Sequence, residues 1–590
     1  MPASKRTDSP APKATPGKTV QTESSSPPGK VVRKQTRPIG EFYGNIGTGF
    51  WTFFIPAAIY YFYGIMVMHA GRLVIPSPSF WYDLVYALPD GLSIKPCWGP
   101  TVVSLTWVCC QALGEILLPG KMKEGVMLKN GRKLIYPMNG LLCFFLSHVG
   151  LYLACSYEII PPYYVFANMG ALLTEAVITS YVMALWLYVD FGIFWSRHTD
   201  DPEFEEDHGV FHFKDFFNDF FMGVVRNPRM FHGILKVPFD LKRFWNARPG
   251  LTGWVILNIS YLASMYYNCK LPTAYGASDS LFFGDHEVKS AQIQAIFKGK
   301  SPDSFCDETG SLENIGLAAL FITFAHWYYI FDYNLVEPAY LTTTDIRHDL
   351  FGFMLTYGDW GFLSRFYPIC FMGFLAQQGS QNNGYITKNY VFAGIGVCMY
   401  LFGMVLFRVT NIEKHLFRDH MNNGGSADKY RSPLSTRIFF GDKKPEFIKT
   451  KEGSLLLTSG YWGLARHFNY IGDLTMCIGW ATACYDPESP FIWLPIAYCI
   501  YFWLMDCHRC WRDEVRCSKK YGPDWERYRK AVPYYIFPGI WLRPRRRPSG
   551  RSPELSEGPT RAESPSTPRR RRWRSRNRRL AKKTQGVKTR

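Results

Sequence analysis

Seven stretches of the chain run for 18 residues or more without an Asp, Glu, Lys or Arg: 47–68, 96–114, 134–157, 249–269, 314–331, 366–387 and 389–407. Each is long enough to carry a helix through roughly 30 Å of hydrocarbon. An eighth, 169–195, is apolar but for Glu175 and Asp190, and 474–485 and 489–505 are shorter or interrupted by proline. Together they predict an all-α polytopic membrane protein of about ten transmembrane helices. The first 40 residues have no apolar core of the kind a signal peptide needs, so the first span is expected to be its own insertion signal.

Charge divides the chain further. The net charge of +19 arises from the ends: residues 1–40 carry +6 and residues 541–590 carry +15, which leaves the middle near −2. The ends are rich in Pro, Ser and Arg and cannot bury enough surface to fold alone. The expected organisation is a disordered basic tail over 1–40, a membrane domain over 41–541 whose ionisable loops gather from about 405 onward, and a disordered Arg-rich tail over 542–590. With both basic tails on the cytoplasmic side, the positive-inside preference demands an even number of spans, which ten satisfies. The C-terminal tail, PRRRRWRSRNRR, has the composition to contact anionic lipid or nucleic acid. No obligate protein partner is evident.

Of the fifteen cysteines, most fall inside apolar stretches and are expected to remain free thiols. Cys507, His508 and Cys510 lack a second Cys/His pair at ligand spacing, so no metal site is expected. The single sequon, at Asn258, falls inside a span, where it is not glycosylated.

Ionisable residues instead gather in the loops toward the C-terminus. Lys414 and Arg418, four residues apart beyond the span 389–407, share one helical face that suits a phosphate, although cations at a cytoplasmic boundary also serve topology. Arg466, His467, Asn469, Tyr470 and Asp473 crowd the opening of the next apolar stretch, where unpaired charge is costly. Arg509 and Asp513 follow the last span at the spacing of a structural ion pair. Beyond them, Tyr521, Trp525, Tyr528 and Tyr534 offer aromatic planes beside cations, a combination that holds a nucleotide by stacking and charge. No G-x-G-x-x-G follows a predicted strand, so a dinucleotide would be bound without a Rossmann domain.

The strings LARHFNYIGD and CWRDEVRCSKKYGPDWERYRKAVPYYIFPGI resemble the sterol reductases of the endoplasmic reticulum and nuclear envelope. DFFMGVVRNPRM, NARPGLTGW and LTTTDIRHDLFGFML follow the family's order, and the resemblance runs from about residue 47 to 541. It implies ten transmembrane helices in the endoplasmic reticulum membrane, a sterol substrate and NADPH as cofactor. LLPGKMKEGVMLKNGRKLIYPMNG and the FGFML string look like the C14-reductases, so the activity implied is reduction of the C14–C15 double bond. The RHFNYIGDL and DWERY strings lean toward the 7-dehydrocholesterol reductases, which keeps a Δ7- or C24(28)-reductase as the alternative. More distant alternatives are an S-adenosylmethionine-dependent isoprenylcysteine carboxyl methyltransferase, which shares the RH-x-x-Y-x-G string, and a scaffold resembling the lamin B receptor.

The resemblance also implies site residues. Lys414, Arg418, Leu456, Trp462, Asn469, Asp473, Arg509, Asp513 and Tyr521 would bind the cofactor, Lys414 and Arg418 taking the 2′-phosphate. Tyr329 would donate the proton, with Asp513 tuning it or relaying the proton, because a phenol with a pKa near 10 is a weak acid without a partner. The competing role for Tyr329 is an interfacial belt tyrosine. One departure stands out: where relatives carry an acid in DFFxGxExNPR, this chain has Val225.

Overall fold

The long apolar stretches become helices. A computed structural model describes residues 41–69, 71–127, 133–194, 215–231, 234–235, 239–272, 286–379, 390–486 and 493–540. Both basic tails, with the expectation that they are disordered, lie outside the described residues. The principal elements in chain order are helices α1 (Gly44–His69) and α2 (Trp98–Leu117), strands β1 (Lys121–Met127) and β2 (Lys133–Met138), then helices α3 (Gly140–Ser156), α4 (Met169–Leu187), α5 (Gly253–Tyr266), α6 (Leu317–Leu335) and α7 (Tyr390–Asn422). Strands β3 (Phe447–Lys449) and β4 (Leu455–Leu457) precede helices α8 (Asn469–Ala483), α9 (Trp493–Tyr521) and α10 (Pro523–Ala531). Among the described residues four helices are long and apolar enough to cross a membrane: Gly44–His69, Trp98–Leu117, Met169–Ile193 and Tyr390–Asn422. Phe53, Leu113 and Phe402 stand exposed on three of them, as side chains that face lipid do. This is a helical membrane protein.

Sheet is confined, among the described residues, to three antiparallel two-stranded ribbons, which qualifies the all-α expectation. The first ribbon corrects a boundary. Residues 134–138, expected at the start of a span, pair instead with β1 in a register from Lys121 opposite Met138 to Met127 opposite Lys133. The helix begins only at Gly140, whose amide donates to Glu337 Oε2 at 3.0 Å.

A second correction concerns the span expected over 366–387. The helical segment there begins at Phe353, runs through π-helical turns at Gly358–Phe366 and Ile369–Gly373, and ends at Gly379; residues 380–387 lie outside the described residues. Asp359 and Arg365 hid its first half from a search for uncharged stretches. Both are buried with partners: Asn246 Nδ2 donates to Asp359 at 2.6 Å, and the Arg365 guanidinium lies 4.1 Å over the Trp360 ring and reaches Ser104 Oγ at 2.9 Å. Glu175, conspicuous in the sequence, joins them by accepting from Ser104 at 2.6 Å. Polar groups at this depth are tolerated because each has a partner. The same principle accounts for a second buried knot, in which Arg243 and Arg248 both pair with Glu115 and Glu337 and so join α2, the segment just after α6 and the approach to α5.

Helices α7 and α8 approach backbone to backbone. A Cβ at Gly396 would lie 2.5 Å from the Gly479 carbonyl oxygen, and one at Gly403 would lie 2.6 Å from that of Gly472. Glycine is the side chain this crossing admits, and the crossing sets the start of α8 beside the second half of α7. The cysteines need one amendment: Cys269 and Cys306 form a disulfide, while the other cysteines among the described residues are free thiols.

Candidate functional site

Helix α7 continues well past its apolar stretch. Its first cation beyond that stretch, Arg408, pairs with Asp332 of α6 and so joins two helices. Farther along, Glu413 accepts the Tyr461 amide at 3.1 Å, and Trp462 donates its indole N–H to the Thr410 carbonyl at 2.8 Å. These bonds fix the Trp462 plane, and Lys414 Nζ lies 3.6 Å from its ring centroid. Arg418, one turn on, reaches the Leu455 carbonyl of β4 at 3.4 Å.

Lys414 and Arg418 thereby open onto one cavity of about 330 Å³, whose walls also include Leu456, Trp462, Asp513 and Tyr521. Six of the nine cofactor residues expected from the sequence therefore converge, from α7, β4, the turn before α8, and α9. The remaining three lie outside its lining. Asn469 and Asp473 open α8, and Asn469 Oδ1 is buried without a hydrogen-bond partner. Arg509 lies one turn before Asp513 on α9, but the expected i,i+4 ion pair between them does not form: Arg509 instead approaches Asp345 at 3.5 Å. Asp513 faces His467, whose Nε2 is 3.7 Å from Asp513 Oδ2. Burial pushes the His467 imidazole down to about 4, against the pull of Asp513, so it is neutral near pH 7 and offers one donor and one acceptor.

Several wall residues escaped the sequence reading. Arg516, Cys517 and Lys520 join Asp513 and Tyr521 in the lining; they recur along α9 at helical spacing, a signal that extending the Asp513 face by one and two turns would have revealed. Thr342, Thr344, Arg347 and His348 enter from a segment before the π-helical run, and helical spacing on α9 could not have pointed to them. The lining holds the cations Arg347, Lys414, Arg418, Arg466, Arg516 and Lys520 against the single carboxylate Asp513. Arg466 is committed to the Val532 and Pro533 carbonyls at 2.6 and 3.1 Å; the others leave a strongly positive wall flanked by aromatic rings. Such a cavity fits the phosphates and adenine of a dinucleotide.

Tyr329 lies on α6, facing inward. Its neighbour Tyr328 is 37% exposed, whereas Tyr329, partly buried, packs 6.2 Å from Trp254 against the main apolar core; that orientation is not the one a belt tyrosine adopts. The charged groups acting on it include Asp473, Arg509, Asp506 and Arg408. Asp506 is 2% exposed, and its Oδ2 has no hydrogen-bond partner. Asp513 lies in the cavity lining, whereas Tyr329 lies against the core. Val225 is buried in a cluster with Phe351 and Trp360, and its carbonyl accepts the Phe351 amide at 2.7 Å. Among the described residues no group of three or more His, Cys, Asp or Glu side chains is placed to hold a metal ion.

The chain is similar to named sterol reductases over most of its length. A Delta(14)-sterol reductase from Dictyostelium discoideum is 30% identical over 86% of this chain and 93% of its own length. A bacterial Delta(14)-sterol reductase from Methylotuvimicrobium alcaliphilum is 30% identical over 82% of this chain and 93% of its own. A 7-dehydrocholesterol reductase from Xenopus laevis is 30% identical over 83% and 90%, respectively. The family model for ergosterol biosynthesis, ERG4/ERG24, matches residues 39–274 and 309–541, two blocks that take in Tyr329 and every wall of the cavity, and the chain accordingly belongs to the ergosterol biosynthesis ERG4/ERG24 family.

Proposed function

We propose that the chain is an NADPH-dependent Δ14-sterol reductase of the endoplasmic reticulum membrane. The observation that carries this reading is the cation-lined cavity at the end of α7, supported by the names of the relatives above. NADPH, when bound, supplies a hydride. Lys414 and Arg418 hold the 2′-phosphate end by charge-assisted hydrogen bonds, and Trp462 and Tyr521 provide planes for stacking. Asn469, Asp473 and Arg509 continue the path from this cavity toward Tyr329.

An isolated alkene accepts hydride only as it becomes cationic. The Tyr329 phenol gives its proton to one alkene carbon and the π electrons form the new C–H bond; the other carbon, left cationic, would take the hydride that bound NADPH supplies. The phenolate left on Tyr329 is stabilised by Arg509 and reprotonated from solvent, with Asp513, which faces His467 and not Arg509, as the relay on the cavity side. The apolar wall around Trp254 keeps water from the cation. The Δ7 alternative draws on the Xenopus relative. Assaying membranes that contain the chain with Δ14, Δ7 and Δ24(28) sterols in parallel, with NADPH or NADH, tests the reading: it requires NADPH-dependent loss of the Δ14 substrate first, and preferential loss of another overturns the assignment.

We further propose ten spans with both termini in the cytoplasm. The Cys269–Cys306 disulfide supports this orientation. Three proposed spans separate Cys306 from Lys414, so the two occupy opposite faces, and a stable disulfide belongs on the oxidising, lumenal side. The cofactor cavity then faces the cytoplasm, where reduced nucleotide is found. The basic C-terminal tail, on the same face, is suited to contact anionic lipid.

A further inference from the structure

The cavity's least expected cation arrives on a strap. Residues Thr344–Asp349 carry a single helical turn, Thr344–Arg347, held from both sides. From beneath, the fully buried Lys242 donates from one ammonium to the carbonyls of Asp345 at 2.6 Å, Ile346 at 3.4 Å and Asp349 at 2.8 Å. From α9, Arg512 grips the Asp349 carboxylate through both terminal nitrogens, at 2.5 and 3.3 Å, and Arg509 approaches Asp345 at 3.5 Å. The two acids of the strap are thus engaged by α9, whereas its cation, Arg347, is exposed on the cavity wall. Among the described residues no carboxylate pairs with Arg347. Its guanidinium and that of Arg418 line the same cavity.

Guanidinium groups gathered in one cavity whose cations outnumber its carboxylate repel one another, and a bound anion relieves that repulsion. A surface arginine with no task would swing into solvent, but here the strap beneath it is held by three hydrogen bonds to its backbone, two to the Asp349 carboxylate and one longer ion pair, so its base cannot move away. We infer that Arg347 is a specificity-determining residue that clamps the 2′-phosphate of the dinucleotide from the side opposite Lys414 and Arg418, and that Lys242, Arg509 and Arg512 act through the strap as its positioning residues. The inference rests on the proposed dinucleotide site and adds to it a ligand from a separate part of the chain.

The test uses the purified full-length chain in detergent, with adenosine 2′,5′-bisphosphate and adenosine 5′-monophosphate as probes, each titrated by calorimetry. Arg347 is exposed, so Arg347→Ala should keep the wild-type unfolding temperature. It should weaken the bisphosphate about tenfold to hundredfold, as loss of a charge-assisted contact does, and leave the monophosphate unchanged. Arg347→Lys should recover part of the loss, and Arg347→Glu should remove the preference for the 2′-phosphate. If Arg347→Ala keeps that preference in full, or weakens both probes equally, the inference is overturned while the dinucleotide site stands. If the wild-type chain binds neither probe, the dinucleotide reading itself fails and the inference with it.

Discussion

Lys414 and Arg418 place charge where a phosphate of a dinucleotide needs it, and this is the most direct link from sequence to chemistry in the chain. Replacing both with alanine should raise KM for NADPH and leave KM for NADH nearly unchanged, each lost contact being worth about 1.5–3 kcal/mol; equal losses in steady-state assays with the two cofactors would remove the phosphate assignment. Tyr329 answers to a different measurement. Tyr329→Phe loses only a hydroxyl, so nucleotide affinity should persist while single-turnover sterol reduction slows by a factor of about 10² to 10⁴; near-normal turnover would leave the proton donor unassigned. His467 supplies a pH dependence. Its folded pKa of about 4 lies below its ordinary value of 6.5, so the folded state binds fewer protons there than the unfolded one. Its contribution to stability is complete above about pH 6.5 and is lost as pH falls toward 4. His467→Gln should therefore flatten the fall of unfolding temperature over that window, and an unchanged profile would assign the acid sensitivity to other groups. Lys414, Arg418 and His467 stood out because each lies in a short ionisable cluster beside an apolar stretch, whereas Tyr329 rested on the family resemblance. Arg347 did not stand out, because only Lys242 and α9, both distant in sequence, bring its strap to the cavity.

Uncharged length found the helices whose polar residues lie outside the bilayer stretch, such as α1, α2 and α7. It misplaced the span before α7 because Asp359 and Arg365 find buried partners in Asn246, Trp360 and Ser104, and no linear pattern announces a partner on another helix. It likewise ran a strand into α3, since an apolar ribbon and an apolar helix read alike over five residues. The crossing of α7 and α8 gives a test at this level. A Cβ at Gly403 meets backbone at 2.6 Å, whereas one at Gly394, on the same helix, meets nothing within 4 Å. Gly403→Ala should force the helices apart at a cost of about 1–3 kcal/mol and weaken nucleotide binding, because α8 carries Asn469 and Asp473. Gly394→Ala should be neutral or slightly stabilising. Equal thermal stability of the two variants in detergent would show that the helices do not cross at Gly403.

For the molecule as a whole, the account separates a catalytic membrane body from tails that carry most of the net charge. Truncation after Trp541 removes eighteen Lys and Arg residues and no proposed span, so reductase activity in isolated membranes should survive; a truncated chain that inserts but is inactive would make the tail part of the catalytic domain. The body's fold class, its C-terminal site and its family were legible in the sequence, because apolar length and clustered charge are local properties. The disulfide was not, because Cys269 closes an apolar stretch and looks like its neighbours there, and its partner falls within 275–308, where the family match lapses. The central claim is that this body reduces a Δ14 double bond by the paired action of Tyr329 and the cation-lined cavity. Its most direct test is expression of the chain in cells lacking their own Δ14-reductase, with sterols resolved by gas chromatography, beside the Tyr329→Phe and Lys414→Ala/Arg418→Ala variants. The account predicts that accumulated Δ14 sterols disappear with the wild-type chain and persist with both variants; Δ14 sterols that persist with the wild-type chain, or a fall confined to Δ7 species, would contradict it.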